Sequence, residues 1–264
     1  GDIVRQVGGE RIALTVLLPV GADPHTFEPR PQDVAAIHDA RVVFLNGLEL
    51  EHSLEPIIAA NATGKVVEVS DGIDVLPFAG SADGEGHSAG DPHVWMDPNN
   101  VMDWVENIRA ALTEIDPDGA DFYKANADAY ASKLADLDKW ILQETSTIPE
   151  YNKKLVTDHQ SLGYFSRRYG FVQAGLLLPS LSTNASVSAS DLAQVEEVIR
   201  SVGIKTIFIE IGASEAMAAQ VAGDTGVRVD RIYTGSLGTA DSGAGTYLDF
   251  MRFNTTILVN GLRD

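Results

Sequence analysis

The sequence predicts an α/β protein made of two α/β lobes separated by one long helix. Three observations carry that expectation. Short β-rich apolar runs alternate with helically spaced segments on both sides of the chain's middle, and such alternation builds parallel sheets covered by helices. One stretch, residues 116–149, reads as helix over about 30 residues, or roughly 45 Å at 1.5 Å per residue, with no proline between 118 and 148. The length, 264 residues, suits one large domain or two modest ones at roughly 100–200 residues each. The expected division is 1–117 for the first lobe, 118–148 for the linking helix and 149–264 for the second lobe.

The elements follow in order. Residues 2–8 place Ile3, Val4 and Val7 on one helical face before a Gly-Gly stop. IALTVLLPVG at 12–21 reads as a buried strand, PQDVAAIHDA at 31–40 as a short helix and ARVVFLNG at 40–47 as a second buried strand. SLEPIIAA is helical, and KVVEVS at 65–70 is a third strand. Residues 79–92, rich in Gly, Ser and Asp, read as a surface loop. An amphipathic helix is expected at 99–115, before the long one. The pattern then restarts. Strands are expected at 153–159, 171–178, 205–211 and 227–234. Helices are expected at SLGYFSRRYG, 190–203, SEAMAAQVAGDTG and the closing 245–262.

Composition narrows the function. Apolar residues make up 44% and charged residues 22%, which is ordinary for a globular chain. The formal net charge is −19; so acidic a surface repels phosphate backbones, and no nucleic-acid partner is expected. There is no cysteine, which excludes disulfides, thiolate zinc sites and cysteine catalysis. No apolar run reaches 18 residues, so no spanning segment is expected. The opening GDIVRQVGGERI already reads as a helix, which leaves room for a leader already removed. GxxxxGK[ST] and GxGxxG are missing, so nucleotide binding has no support, and GASEA and GYFSR contain Ser but lack a GxSxG elbow.

The histidines are the informative residues. His25 in GADPHTFEP, His93 in GDPHVWMDP and His159 in LVTDHQSLGYF stand where an expected strand or loop hands over to the next element, 68 and 66 residues apart. In open α/β sheets the carboxyl ends of the strands form the binding crevice. Converging imidazoles suit Zn²⁺, at about 2.0–2.1 Å from each nitrogen, whereas Mn²⁺ recruits more carboxylates. A histidine at a loop edge is also commonly a hydrogen-bonded structural residue, and that reading stands beside the metal one. His38 and His52 read as solvated, and His87 in the Gly-rich loop as either free or a capture ligand. Asp23, Glu28, Asp91 and Asp97 flank the histidines and suit accepting a hydrogen bond from a ligand ring, and surface solvation explains them equally well.

GADPHTFEPRPQDV, NGLELE, DPHVWMDPNN, TDHQSLGYFSRRYGF and GTYLDFMRFN, in that order over essentially the whole chain, resemble the zinc/manganese solute-binding proteins of bacterial ABC importers (cluster A-I). The resemblance implies two (β/α)₄ lobes joined by a single long rigid helix, with the metal in the interlobe cleft. It implies His25 and His93 as ligands from the first lobe and His159 from the second. Manganese-selective members often carry Glu at that third position, so His159 points to Zn²⁺ as the transported ligand. Members of the family usually place an Asp in the loop after the last strand; here IYTGSLG puts Gly235 there. That leaves water or Glu210 as fourth ligand, with Asp224 and Asp230 behind them. The expected metal set is therefore His25, His93, His159 and Glu210. The family usually begins with a strand before its first helix, and this sequence opens at the helix.

The function this implies is a periplasmic, high-affinity Zn²⁺-binding protein that is not an enzyme. It would work as a monomer and deliver zinc to an ABC transporter permease, with a periplasmic metallochaperone as a further partner where one exists. The rivals are a manganese importer component of the same fold, a His₃-zinc hydrolase and a metal-dependent adhesin.

Overall fold

The computed structural model describes residues 1–77, 89–178, 188–213 and 215–263. They fall into two units, residues 1–77 with 89–138, and residues 139–263. Among the described residues the strands form two sheets, both parallel.

In the first unit, helix α1 (Asp2–Gly8) buries Ile3, Val4 and Val7, as its spacing requires. Helix α2 (Pro31–Asp39) starts on a proline, and the Asp33 carboxylate reaches back to the Arg30 N–H at 2.8 Å. The unit β1 (Val42–Leu45), α3 (Glu55–Asn61), β2 (Lys65–Glu68) follows, with Val42 opposite Lys65 in the parallel register. Ile37, Val43, Leu54 and Ile58 form the core against it. A short 3₁₀ turn, Val94–Met96, leads into α4 (Pro98–Ile115). Asp97 caps α4 through the Asn99 N–H at 2.9 Å, and Val101, Val105, Ile108 and Leu112 form its buried stripe.

The strand expected at 12–21 is not there. Ile12 is extended, and Leu17 and Leu18 pack against the β1 cluster, but no ladder forms among the described residues. β-rich composition sets an extended backbone; a strand needs a hydrogen-bonded neighbour as well. Val16 and Val20 consequently remain 51% and 60% exposed.

Helix α5 runs Ala120–Thr145, 26 residues, and the two units divide within it, after Asp138. Tyr123, Ala127, Tyr130, Leu134, Leu137 and Ile141 are all buried, a spacing that keeps one stripe aligned along the axis. The helix is shorter at both ends than the 116–149 expected from sequence. Pro117–Gly119 forms a 3₁₀ turn, where Asp116 accepts from Arg11 and from the buried Tyr123 hydroxyl at 2.6 Å. At the other end Thr145, Ser146 and Thr147 each return a hydroxyl to a backbone carbonyl. Those bonds, with Pro149 just beyond, close the helix.

The second unit holds β3 (Lys154–Thr157), α6 (Gly163–Tyr169), β4 (Val172–Leu176), α7 (Ala189–Val202), β5 (Thr206–Glu210), α8 (Glu215–Thr225), β6 (Arg228–Ile232) and α9 (Tyr247–Leu262). The sheet order is β4-β3-β5-β6. Gly170, at φ 77°, closes α6 in the left-handed region that glycine enters without penalty. Ser188 and Asp191 form a reciprocal capping box on α7. Val156, Ile207, Ile209, Val195, Ile199 and Val221 make the core. From β3 the chain crosses outward to β4, then returns past β3 to β5 and on to β6. The order therefore reverses between β3 and β5, the kind of switch point at which open α/β sheets bind ligands.

Candidate metal centre

The first unit holds a pair of imidazoles. Asp91 is fully buried, and its Oδ1 accepts twice from one residue: from the His93 backbone N–H at 3.0 Å and from His93 Nδ1 at 2.8 Å. That contact assigns the ring proton to Nδ1 and leaves the lone pair on Nε2. Trp95 stands edge-on to the same ring at 5.3 Å. His25 sits in a short turn where its N–H donates to Asp23 Oδ1 at 2.9 Å. The Nε2 atoms of His25 and His93 lie 3.3 Å apart. Two nitrogens each ~2.05 Å from one tetrahedral ion stand roughly 3.3 Å apart. The pair is thus spaced as two zinc ligands are, and the same spacing serves a ring-to-ring hydrogen bond without an ion.

The second unit holds an imidazole and carboxylates at its topological switch. His159 and Asp158 follow β3, both about 1% exposed. The Asp158 Oδ2 accepts from the Glu210 N–H at 3.1 Å, and Oδ1 lies 3.3 Å from His159 Nδ1. Asp158 therefore links the ends of β3 and β5. Glu210 ends β5, and its Oε1 accepts from the Gly235 N–H at 2.7 Å. Asn254 on α9 holds the approach to Gly235 by accepting from the Tyr233 N–H at 2.9 Å and donating to the Tyr233 carbonyl at 2.7 Å. One ligand-capable atom from each of Asp158, His159 and Glu210 lies within 4.8 Å of the others. Gly235, where the resembled family places an Asp, here offers its amide to Glu210.

Other residues singled out from sequence take other places. His38 and His52 are exposed, beside Asp39 and Glu55 respectively. Asp97 serves α4 as its cap. Asp230 pairs with Arg228 at 2.9 Å, and the Asp224 carbonyl accepts from Arg200. His87, with residues 79–88 of the loop expected at 79–92, lies outside the described residues. Sequence reasoning missed Asp158, although a carboxylate directly before a strand-end histidine was visible as the Asp-His pair. It also gave no role to Glu51 or to Asn46, whose Nδ2 donates to the Pro92 carbonyl at 3.1 Å.

Comparison with known proteins agrees over nearly the full length. The family model described as zinc-uptake complex component A, periplasmic (ZnuA), matches residues 1–261. The manganese-binding lipoprotein MntA of Halalkalibacterium halodurans is 37% identical over 263 residues, 99% of this chain and 85% of that one. A manganese-bound periplasmic metal-binding protein from Candidatus Liberibacter asiaticus superposes with a TM-score of 0.87 at 32% identity, covering 99% of this chain and 96% of that one. The periplasmic zinc-binding protein TroA of Treponema pallidum gives a TM-score of 0.88 at 26% identity, covering 100% and 95%.

Proposed function

We propose, from the premise that this chain belongs to the ZnuA family of periplasmic metal-uptake proteins, that it captures Zn²⁺ and passes it to a membrane permease. The family establishes the coarser role: a metal-binding, substrate-binding component of an ABC importer, acting outside the cytoplasmic membrane and not as an enzyme. No helix among the described residues is long and apolar enough to cross a membrane. The importer's other parts, a permease and an ATPase, are its partners, and in this reading the protein meets the permease as a monomer.

The proposed ligands are His25, His93, His159 and Glu210. The observation that carries the zinc reading is the His25–His93 pair, with its 3.3 Å spacing and an Asp91 that fixes the tautomer of His93. A third imidazole, His159, in place of a carboxylate makes the donor set nitrogen-rich. Zn²⁺ accepts such a set in tetrahedral geometry, whereas Mn²⁺ favours more oxygen. Affinity should fall on acidification, because imidazole binds metal only when deprotonated.

The second reading is manganese, favoured by the manganese named in MntA and in the Liberibacter structure. Competition decides between them. The metal-stripped protein is titrated with Zn²⁺ against a chelating dye, then with Zn²⁺ in a large excess of Mn²⁺. Zinc retention supports the proposal; displacement by comparable Mn²⁺ overturns it in favour of manganese.

A further inference from the structure

We propose that Asn46 and Glu51 are positioning residues that hold the ligand loop of His93, an inference that rests on the metal-binding reading of that histidine. Strand β1 ends at Leu45. The chain leaves the strand through Asn46 and Gly47 and then places three residues in the left-handed region: Gly47 at φ 83°, Leu48 at 57° and Glu49 at 60°. Glycine enters that region freely, but for Leu and Glu it costs roughly 1–2 kcal/mol per residue. Such strain persists only where neighbouring groups over-determine the backbone.

Glu51 supplies the over-determination. Its Oε1 accepts from the Asn46 N–H at 2.7 Å and its Oε2 from the Gly47 N–H at 3.2 Å. One carboxylate thus clamps both amides at the mouth of the turn. The clamp is made at a cost, since burial pushes the Glu51 carboxyl up to about 7. Gly47 is tied to the same spot for a second reason. A Cβ there would stand 2.5 Å from the Glu68 carboxylate.

A simple connection from β1 to α3 needs none of this. What the turn delivers is the Asn46 side chain, 7% exposed. Its Nδ2 donates to the Gly47 carbonyl at 2.8 Å and to the Pro92 carbonyl at 3.1 Å. Pro92 stands between Asp91 and His93 and has no N–H of its own, so its carbonyl is the handle by which that peptide can be held. The Val94 N–H takes the same oxygen at 2.8 Å. Asp91, on the other side, grips both the backbone and the ring of His93. Glu51 therefore shapes the turn, the turn aims Asn46, and Asn46 holds the peptide from which the imidazole projects. Groups that hold ligands in this way are worth about 10–100-fold in metal affinity.

The test uses the full chain and Zn²⁺ alone, with affinity read by competition against a chelating dye and fold by thermal melting. N46A and E51A should each weaken binding about 10–100-fold. E51Q, which keeps one carbonyl oxygen for one of the two amides, should recover part of the loss. The double variant N46A/E51A should be no weaker than the worse single one, because both act through the Pro92 carbonyl. Long-range ¹H–¹⁵N spectra of the metal-free protein should show the His93 ring resonances moved in N46A and those of His159 unmoved. If N46A fails to fold, N46D carries the test, since it keeps the shape and removes both Nδ2 donors. Affinities within about twofold of the parent, with His93 resonances unmoved and H93A still losing zinc, overturn the positioning role and leave the metal site standing. A parent chain that takes up neither Zn²⁺ nor Mn²⁺ overturns both.

Discussion

His93 in the first unit and His159 in the second both stand beside an aspartate, and the two aspartates do different work. Asp91 spends one oxygen on a single residue, taking the backbone and the ring of His93 at 3.0 and 2.8 Å. Asp158 divides its oxygens between two strand ends, taking the Glu210 N–H at 3.1 Å and lying 3.3 Å from the His159 ring. The first arrangement fixes an imidazole locally. The second makes the place of Glu210 depend on the register of β3 against β5.

That contrast can be broken in graded steps. The largest effect is expected from His93→Ala. If ~10–16 kcal/mol of zinc affinity is shared among four ligands, losing one costs roughly 100- to 1000-fold, with the far-UV CD largely intact. Unchanged affinity in a dye competition removes His93 from the site. Next comes Asp91→Ala, expected to cost about 10–100-fold by freeing the ring to turn and to exchange tautomers. Asp158→Asn should cost less, about tenfold, since the amide keeps one acceptor for the Glu210 N–H. An equal or larger loss there would erase the distinction between the two aspartates. Glu210→Ala should weaken zinc moderately if its carboxylate coordinates, and a null result in the same titration assigns that position to water.

The smallest effect is on stability and sharpens the account of the first unit. Glu51 holds its proton more tightly folded, at about 7, than its ordinary value of 4.5. The folded state therefore binds more protons than the unfolded state between those values, and the associated stability is present below about 4.5 and lost as pH rises through 7. Thermal melts of the metal-free parent should decline across that window, and those of Glu51→Gln should decline less. Parallel curves would show that Glu51 is not the titrating group.

Much of this architecture was legible in the chain. The stripe Ile3, Val4, Val7 marked α1, the α4 periodicity was plain, and Gly170 and Gly203 stood where helices end. The three strand- and loop-end histidines announced themselves by position. Residues 12–21 misled, because their composition reports how the backbone extends and says nothing of a partner strand. The ends of α5 misled as well, because its closing Ser and Thr hydroxyls act through bonds a periodicity count does not weigh.

Composition and spacing thus determined the helices and most of the strands, the acidic surface, the exclusion of thiolate chemistry and the identity of the candidate imidazoles, because these depend on residue type and near neighbours. Only the folded chain decided that Asp91 sets the tautomer of His93, that Asp158 bridges β3 and β5, that Gly235 gives its amide to Glu210, and that Asn46 holds Pro92 from 46 residues away. Hydrogen bonds need atoms about 3 Å apart, and for groups distant in sequence that proximity is created by packing alone.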